Sequence, residues 1–315
     1  MSSKSSISDN WPPAKVAVTV DVEDWYHVPA VTGSPFSKYR DVEQFFKLWD
    51  RRYDYLTEPT RRVLELLDSF GIKATFFVVA DVTERYPGLV QEIAARGHEL
   101  ACHGLHHACK IHPGTKRPLM SPGEFEERTL KAKEMLEKAG GQEVIGYRAP
   151  AAYVGGWMLD SLEKLGFRYD SSVAVNSFYN KSDSRLGGVD TCPYYPRSGS
   201  LDQSSERRRI VELPWPYYKF GAKLPSGGGP LLRFLGARYI EAGLSQSLKR
   251  GPTTFYFHPI DISREKSPGG FSRRRPLYWA VKGDIVESRI RRILGRQRFT
   301  FSTCGSLVGG GNHGV

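Results

Sequence analysis

Along this chain the spacing of hydrophobic positions switches between a period of two and a period of about 3.6, and each switch marks an element. Residues 15–20 (KVAVTV) alternate and are rich in valine, which predicts a strand ending at Asp21-Val22-Glu23-Asp24. Apolar positions at Val63, Leu64, Leu66 and Leu67, between Pro59 and Gly71, predict a helix over 59–70. Residues 73–79 (KATFFVV) read as a second strand. Residues 87–96 read as a helix with Pro87 at its start and Gly97 just past its end. Residues 99–102 form a short third strand pointing into His103. Ser121-Pro122-Gly123-Glu124 has the form of a capping box and opens a helix to Ala139, stopped by Gly140-Gly141. A strand at 144–147 leads into Arg148, a helix at 157–165 ends at Gly166, and 167–169 leads to Asp170. Strand character returns at 209–213 (RIVEL) and at 253–257 (TTFYF), the latter ending in His258. Helices are expected at 231–248 and, basic and amphipathic, at 285–294, with a closing strand at 298–302.

Alternating strand and helix units imply an α/β protein with a mostly parallel sheet covered by helices. About seven or eight such units suit a (β/α) barrel, whose chemistry sits at the C-terminal ends of the strands. Asp21, His103, Arg148, Asp170 and His258 each follow directly on a predicted strand, so residues spread over most of the chain are expected to converge on one rim. The organisation expected is one domain over 15–305 with insertions at 25–57 and 175–230, a disordered segment at 1–14 and a flexible tail at 306–315. The first insertion is aromatic-rich. Core packing is its first reading, a lid over a sugar-sized cleft its second.

At 315 residues and 40% hydrophobic content the chain can bury a substantial core. Its start is polar, without the apolar run of a signal peptide, and no stretch approaches the length of a membrane span. The four cysteines (Cys102, Cys109, Cys192, Cys304) show no paired spacing, which suits a reducing compartment, and the cytoplasm is the expected location. Lys plus Arg exceeds Asp plus Glu by 45 − 34 = 11, gathered in Arg207–Arg209, in Arg273–Arg275 and along Arg289, Arg291, Arg292, Arg296 and Arg298. Such a field favours an anionic partner: a phosphate-bearing substrate carrier, an acidic glycan, or peripheral contact with an anionic membrane. No nucleic-acid recognition motif is present, and no nucleic acid is expected. Each run by itself also reads as a solvated face.

His103 and His107 stand four apart, so one turn or a tight loop can bring both imidazoles to one cation. Two histidines and a carboxylate holding a divalent metal leave a position open for water or a substrate carbonyl. A second carboxylate can take the water's proton, and a separate histidine can return one to the leaving group. In this chain Asp21 is the natural base, Glu23 or Asp24 the metal carboxylate, His103 and His107 the imidazole ligands and His258 the acid. Arg148 would pair with Asp21, orienting it and keeping it ionised. Asp170 either tunes His258 or caps Ser171-Ser172. Taken singly, each has a structural alternative: a cap, a salt bridge, a core histidine. The lack of a Glu after His103 disfavours a His-Glu-x-x-His peptidase.

Thr19-Val20-Asp21-Val22-Glu23-Asp24, His103-Gly104-Leu105-His106-His107, Arg148-Ala149-Pro150 and Phe257-His258, in that order, resemble the successive motifs of the polysaccharide deacetylase family, with its NodB homology domain (carbohydrate esterase family 4). Asp-Val-Glu-Asp resembles the first motif of the subgroup found with exopolysaccharide and O-antigen loci. The resemblance implies a distorted (β/α) barrel and a divalent metal, zinc first, with cobalt, nickel or manganese as alternatives. It further implies hydrolysis of the N-acetyl group of an amino sugar to a free amine and acetate. On the same basis Asp21 is the base, His103 and His107 are metal ligands, Arg148 is the partner of the base and His258 is the acid. The chain departs from the family in three places. Asp21-x-Glu23-Asp24 replaces an adjacent pair of aspartates, and a spacing of two favours Glu23 as third ligand. His106 stands where a small polar residue is common and is a competitor for the metal. Ala151 stands where many members have Tyr, with its backbone N–H as an oxyanion donor. The substrate expected is an N-acetylated amino sugar on a nucleotide or lipid carrier. The alternatives are a metal-independent amidohydrolase on a small ureide, and a non-catalytic carbohydrate-binding protein using Trp25, Tyr26, Trp215, Tyr217 and Tyr218 as sugar platforms.

Overall fold

A strand buried on both faces is a near-continuous apolar run, and β1 (Val16–Val22) is buried at every residue. It is the central strand of the computed structural model, which describes residues 14–49, 53–265 and 281–309. The other strands are β2 (Thr75–Val78), β3 (Glu99–Cys102), β4 (Gly146–Tyr147), β5 (Tyr169–Asp170), β6 (Val211–Glu212), β7 (Tyr217–Phe220), β8 (Ala222–Pro225), β9 (Thr253–Phe257) and β10 (Phe301–Ser302). From β1 the sheet runs through β2, β3, β4 and β5 to β6, every pair parallel. On its other side β1 pairs with β9 in parallel, and β10 adds beside Val16 and Ala17. Strands β6 and β9 are not paired with each other among the described residues, so the sheet curls into an open (β/α) barrel.

The helices are α1 (Val42–Leu48), α2 (Thr57–Ser69), α3 (Val82–Arg85), α4 (Leu89–Ala95), α5 (Pro122–Gly140), α6 (Gly156–Lys164), α7 (Pro230–Leu248), α8 (Asp284–Leu294) and α9 (Cys304–Val308). Ser121 caps α5 by accepting from Glu124 N–H at 3.2 Å, and Gly141 ends it in the left-handed region, as the capping box and the glycine pair predict. Helix α7 is broken at Gly236, whose φ is 80°.

Alternation along β1 divides the core. Val16, Val18 and Val20 face the helices, packed with Leu64, Leu67 and Val90. Ala17 faces the interior with Phe77, Ala101 and Tyr169, closed at the bottom by Leu307 and Val308 of α9. Thr19, Asp21 and Glu23 continue that inner row upward toward the C-terminal rim.

Three sequence expectations change and one is met. Leu307 and Val308, expected in a flexible tail over 306–315, are buried in the barrel floor. The stretch 214–230, expected within the insertion 175–230, holds the antiparallel hairpin β7–β8. The aromatic insertion at 25–57 meets its first reading, core packing: Trp25, Tyr26, Phe45 and Tyr55 are buried in a small core of their own. The arginine runs are largely engaged by the chain itself: Arg208 pairs with Asp160 and Glu163, while Arg292, Arg296 and Arg298 converge on Glu241 at 2.9, 3.0 and 3.6 Å. Arg273–Arg275, like 1–13 and 310–315, lie outside the described residues.

The glycine-rich link 226–229 lies against β9, which delivers His258. A Cβ at Gly228, where φ is 136°, would sit 1.8 Å from the carbonyl oxygen of Tyr256. Gly228→Ala is therefore expected to lower the free energy of unfolding by at least about 3 kcal/mol, read as a lower urea midpoint at unchanged slope. An unmoved midpoint refutes this close approach.

Candidate active site

Three acceptors meet at the barrel mouth. His103 Nδ1 lies 2.8 Å from the carbonyl oxygen of Arg148, and His107 Nδ1 lies 2.8 Å from that of His27. A carbonyl only accepts, so each Nδ1 carries the proton and each Nε2 presents a lone pair. Both Nε2 atoms lie 3.1 Å from the same oxygen, Glu23 Oε1. His107 Nε2 is buried without a hydrogen-bond partner. Two imidazole lone pairs and a carboxylate oxygen at that spacing repel unless a cation sits among them, and two His with one carboxylate is a donor set suited to zinc-like divalent ions. Burial lowers the pKa of His107 and so favours its neutral, ligating form. Burial pushes Glu23 up, but His107, His103 and His258 outweigh it and hold the carboxyl well below the usual carboxylate range.

The loop bearing the histidines is held in an uncommon conformation. His107 has a φ of 52°, and the insertion crosses beneath it at Gly33, where a Cβ would lie 2.6 Å from the His107 carbonyl oxygen. Cys109 N–H donates to Gly33 O at 2.7 Å and ties the two segments together.

Beside this group Asp21 accepts from Arg148 Nη1 at 2.5 Å. The guanidinium, 1% exposed, also donates to Thr19 Oγ1, Ser171 O and Ser171 Oγ at 2.9 to 3.0 Å. Its plane lies over the Phe77 ring, 4.0 Å from the centroid. An Arg boxed on every edge presents Asp21 in one orientation.

From the opposite side of β1, His258 brings Nε2 to 3.7 Å from Glu23 Oε1. Ligand atoms of Asp21, Glu23 and His258 lie within 4.8 Å of one another. The partner of His258 is Asp261, three residues on: its Oδ2 lies 3.1 Å from Nδ1 and accepts the His258 backbone N–H at 2.8 Å. Asp261 is itself paired with buried Arg233 at 2.8 Å. Burial pulls the His258 pKa down, but Asp261, Glu23 and Asp21 push it up to about 9. Sequence reasoning missed Asp261 and Arg233. The signal available was an Asp three residues after the His, at the first turn of a 3-10 helix.

Two of the sequence-based candidates fall outside the site. Asp24 caps the turn Trp25–His27, accepting from Trp25 N–H at 2.7 Å and from the Tyr86 hydroxyl. Its side chain leaves on the other side from Asp21 and Glu23, as the period of two requires. Asp170 shares its register with Tyr147, which faces the helices, and with Glu212. It accepts from Ser172 Oγ at 2.8 Å and sits against Glu212, which burial and the Asp170 charge raise well above the carboxylate range. Asp170 thus caps Ser172 and does not tune His258. His106 is not a competitor for the metal either: its Nδ1 lies 3.1 Å from Asp81, which also holds His27. Of the five aromatic platforms, only Trp215 lines the cleft; Trp25, Tyr26 and Tyr217 are buried.

The site opens into a cleft of about 680 Å³ walled by Trp215, Tyr256, Tyr153, Ala151 and Lys181. Ala151 is left-handed at φ 54°.

Residues 48–169 match the profile of the polysaccharide deacetylase family. That segment, less than half of the chain, is similar to polysaccharide deacetylases. Residues 177–309 match a domain of unknown function, DUF3473. Peptidoglycan deacetylase-like protein FGM2 of Gibberella zeae is 29% identical over 167 residues, 50% of this chain and 46% of that protein. Peptidoglycan deacetylase of Helicobacter pylori is 28% identical over 173 residues, 50% of this chain and 52% of that protein. The chain thus spans about half the length of these curated relatives. Among solved structures, one from Mycobacterium smegmatis described as a candidate polysaccharide deacetylase shares the fold, with a TM-score of 0.56 at 23% identity over 95% of this chain and 94% of that one. The site is wider than the deacetylase match. His103, His107 and Arg148 lie inside it, Asp21 and Glu23 precede it, and His258 and Asp261 come from the DUF3473 segment.

Asp261→Asn removes the main group holding the His258 pKa up while burial, which lowers it, stays. The His258 pKa is expected to fall from about 9 toward its ordinary 6.5, so that at pH 8 the ring changes from mostly charged to mostly neutral. Histidine NMR titration of the metal-free protein reads this directly. For the ligand set, zinc affinity measured against a chromophoric chelator is expected to drop by more than about 100-fold in Glu23→Gln and His107→Ala, beyond the usual effect of outer-shell partners. Equal affinity in the variants rules the site out.

Proposed function

We propose that this protein is a divalent-metal-dependent hydrolase that removes the N-acetyl group from an amino sugar, giving the free amine and acetate. The observation that carries the reading is the convergence of Glu23, His103 and His107 with Asp21 and His258 at the floor of one cleft. Zinc is the first choice of metal for that donor set. A cation held by these three residues would supply Lewis acidity toward a water and the acyl oxygen.

The rest of the chemistry falls to the chain's own side chains. Asp21, fixed by Arg148, accepts the proton of the attacking water at its carboxylate. His258, whose charged form Asp261 favours, donates a proton to the amine nitrogen as the C–N bond breaks, and Asp261 stabilises the imidazolium. The backbone N–H of Ala151, on the cleft wall, is proposed as an oxyanion donor. Trp215 and Tyr256, with ring centroids 4.5 Å apart, form an apolar wall against which a sugar face can stack.

The substrate proposed is an N-acetylated amino sugar on an anionic nucleotide or lipid carrier, handled in the cytoplasm. The free cysteines Cys102, Cys109, Cys192 and Cys304 support a reducing compartment. Among the described residues no helix is long and apolar enough to cross a membrane. The Asp-Val-Glu-Asp motif supports a place in the exopolysaccharide and O-antigen subgroup.

Acetate release from nucleotide-, lipid- and polymer-linked amino sugars, with and without chelator, tests the reading. Asp21→Asn is expected to lower kcat by about 10²- to 10⁴-fold with a smaller change in KM, and chelator to abolish turnover. Equal acetate release by the wild type and Asp21→Asn would sink the assignment.

A further inference from the structure

Above the ligands, the cleft contains a cation that the proposed chemistry does not use. Lys181 lines the same wall as Ala151 and Tyr153. Its Nζ donates to Ala151 O at 2.9 Å and lies 5.3 and 5.7 Å from the ring centroids of Tyr153 and Tyr179. Among the described residues no carboxylate lies within ion-pair distance of it. The acid nearest in sequence, Asp183, is turned to the start of α6, where both its oxygens accept from Gly156 N–H.

The placement of Lys181 is built. Residues 180–184 are folded on themselves by Asn180, which accepts from Ser182 N–H and Oγ at 2.8 and 2.7 Å and donates to Ser184 O. Val154 N–H donates to Lys181 O at 3.3 Å, tying this loop to the loop after β4. A second lysine, Lys116, lies 4.9 Å from the other contact ring, Tyr153. The thiol on this wall, Cys109, is pushed up to about 11 by burial and carries no charge at neutral pH. An ammonium group desolvated without an anion is costly, and an oxyanion arriving with the substrate offsets that cost.

We propose that Lys181 is a specificity-determining residue that binds an oxyanion, phosphate or carboxylate, covalently attached to the amino sugar whose acetamide faces Glu23, His103 and His107. This rests on the deacetylase reading for where the acetamide lies, and not for the existence of the anion subsite. Burial lowers the Lys181 pKa to about 8, which leaves it charged at neutral pH and able to gain from such a partner. Because residue 181 belongs to the DUF3473 segment, that segment would set substrate choice as well as supply His258.

The test measures binding and turnover of three probes on zinc-loaded full-length protein: neutral N-acetylglucosamine, its 1-phosphate, and a 2-acetamido hexuronic acid. The two charged arms separate a phosphate from a carboxylate source. In the wild type at least one charged probe is expected to bind about tenfold tighter than the neutral one. In Lys181→Gln that ratio is expected to collapse toward one, and Lys181→Arg is expected to restore most of it. A merely structural role for the Ala151 contact would weaken all three probes alike and leave the ratio unmoved, which overturns the proposal. A wild-type ratio near one overturns it as well. If the Lys181-dependent ratio holds in binding while no probe releases acetate, the deacetylase reading fails and the anion subsite stands. If acetate is released with no charge preference, the reverse follows.

Discussion

The arrangement depends on one buried carboxylate oxygen. Glu23 Oε1 has two imidazole nitrogens at 3.1 Å and a third at 3.7 Å. Neutral acceptors do not crowd an anion in a low-dielectric interior without a cation or protons to bind them. The backbone carbonyls of Arg148 and His27 take the Nδ1 protons of two of these rings, and Asp261 faces the third. The outer contacts therefore sort the histidines into two kinds. Two are held with lone pairs inward, and one is held with a charged ring inward. On the proposed reading the same residue type would serve as ligand and as proton donor within one site, and only the second contact of each ring tells them apart.

Strand alternation explains which polar residues take part. The inner row of β1 climbs from Ala17 through Thr19 and Asp21 to Glu23, and each has a task there: packing the floor, bracing Arg148, pairing with it, and meeting the histidines. Asp24 and Asp170 are acidic, buried and next to strand ends, yet they lie on the wrong parity and become a cap and half of a carboxyl pair. A strand end brings a residue to the rim; the parity decides whether it reaches the mouth.

The two matched segments are not two independent bodies. Strands β6, β9 and β10 come from the second segment and join a sheet whose β2, β3 and β4 belong to the first, and β9 pairs directly with β1, which precedes both. A parallel sheet places distant segments side by side, so a histidine from residue 258 meets a carboxylate from residue 23. The second segment also walls the cleft, through Trp215, Tyr256 and Lys181.

Much of this was legible in the chain itself. The valine-rich alternation of 15–20, the capping box at Ser121 and the glycine stops predicted the elements to within a few residues, because those signals are local and backbone geometry obeys them. The order of Asp21, His103, Arg148 and His258 after successive strands pointed to a shared rim, since parallel strands all end on one side. What the sequence could not decide were contacts between residues remote in order or different in parity. Arg233 as the partner of Asp261, Asp170 as a partner of Glu212, His106 turned to Asp81, and Arg292, Arg296 and Arg298 on Glu241 are of this kind. Each is a choice among several carboxylates or cations of like chemistry, and only packing brings one of them within 3 to 4 Å.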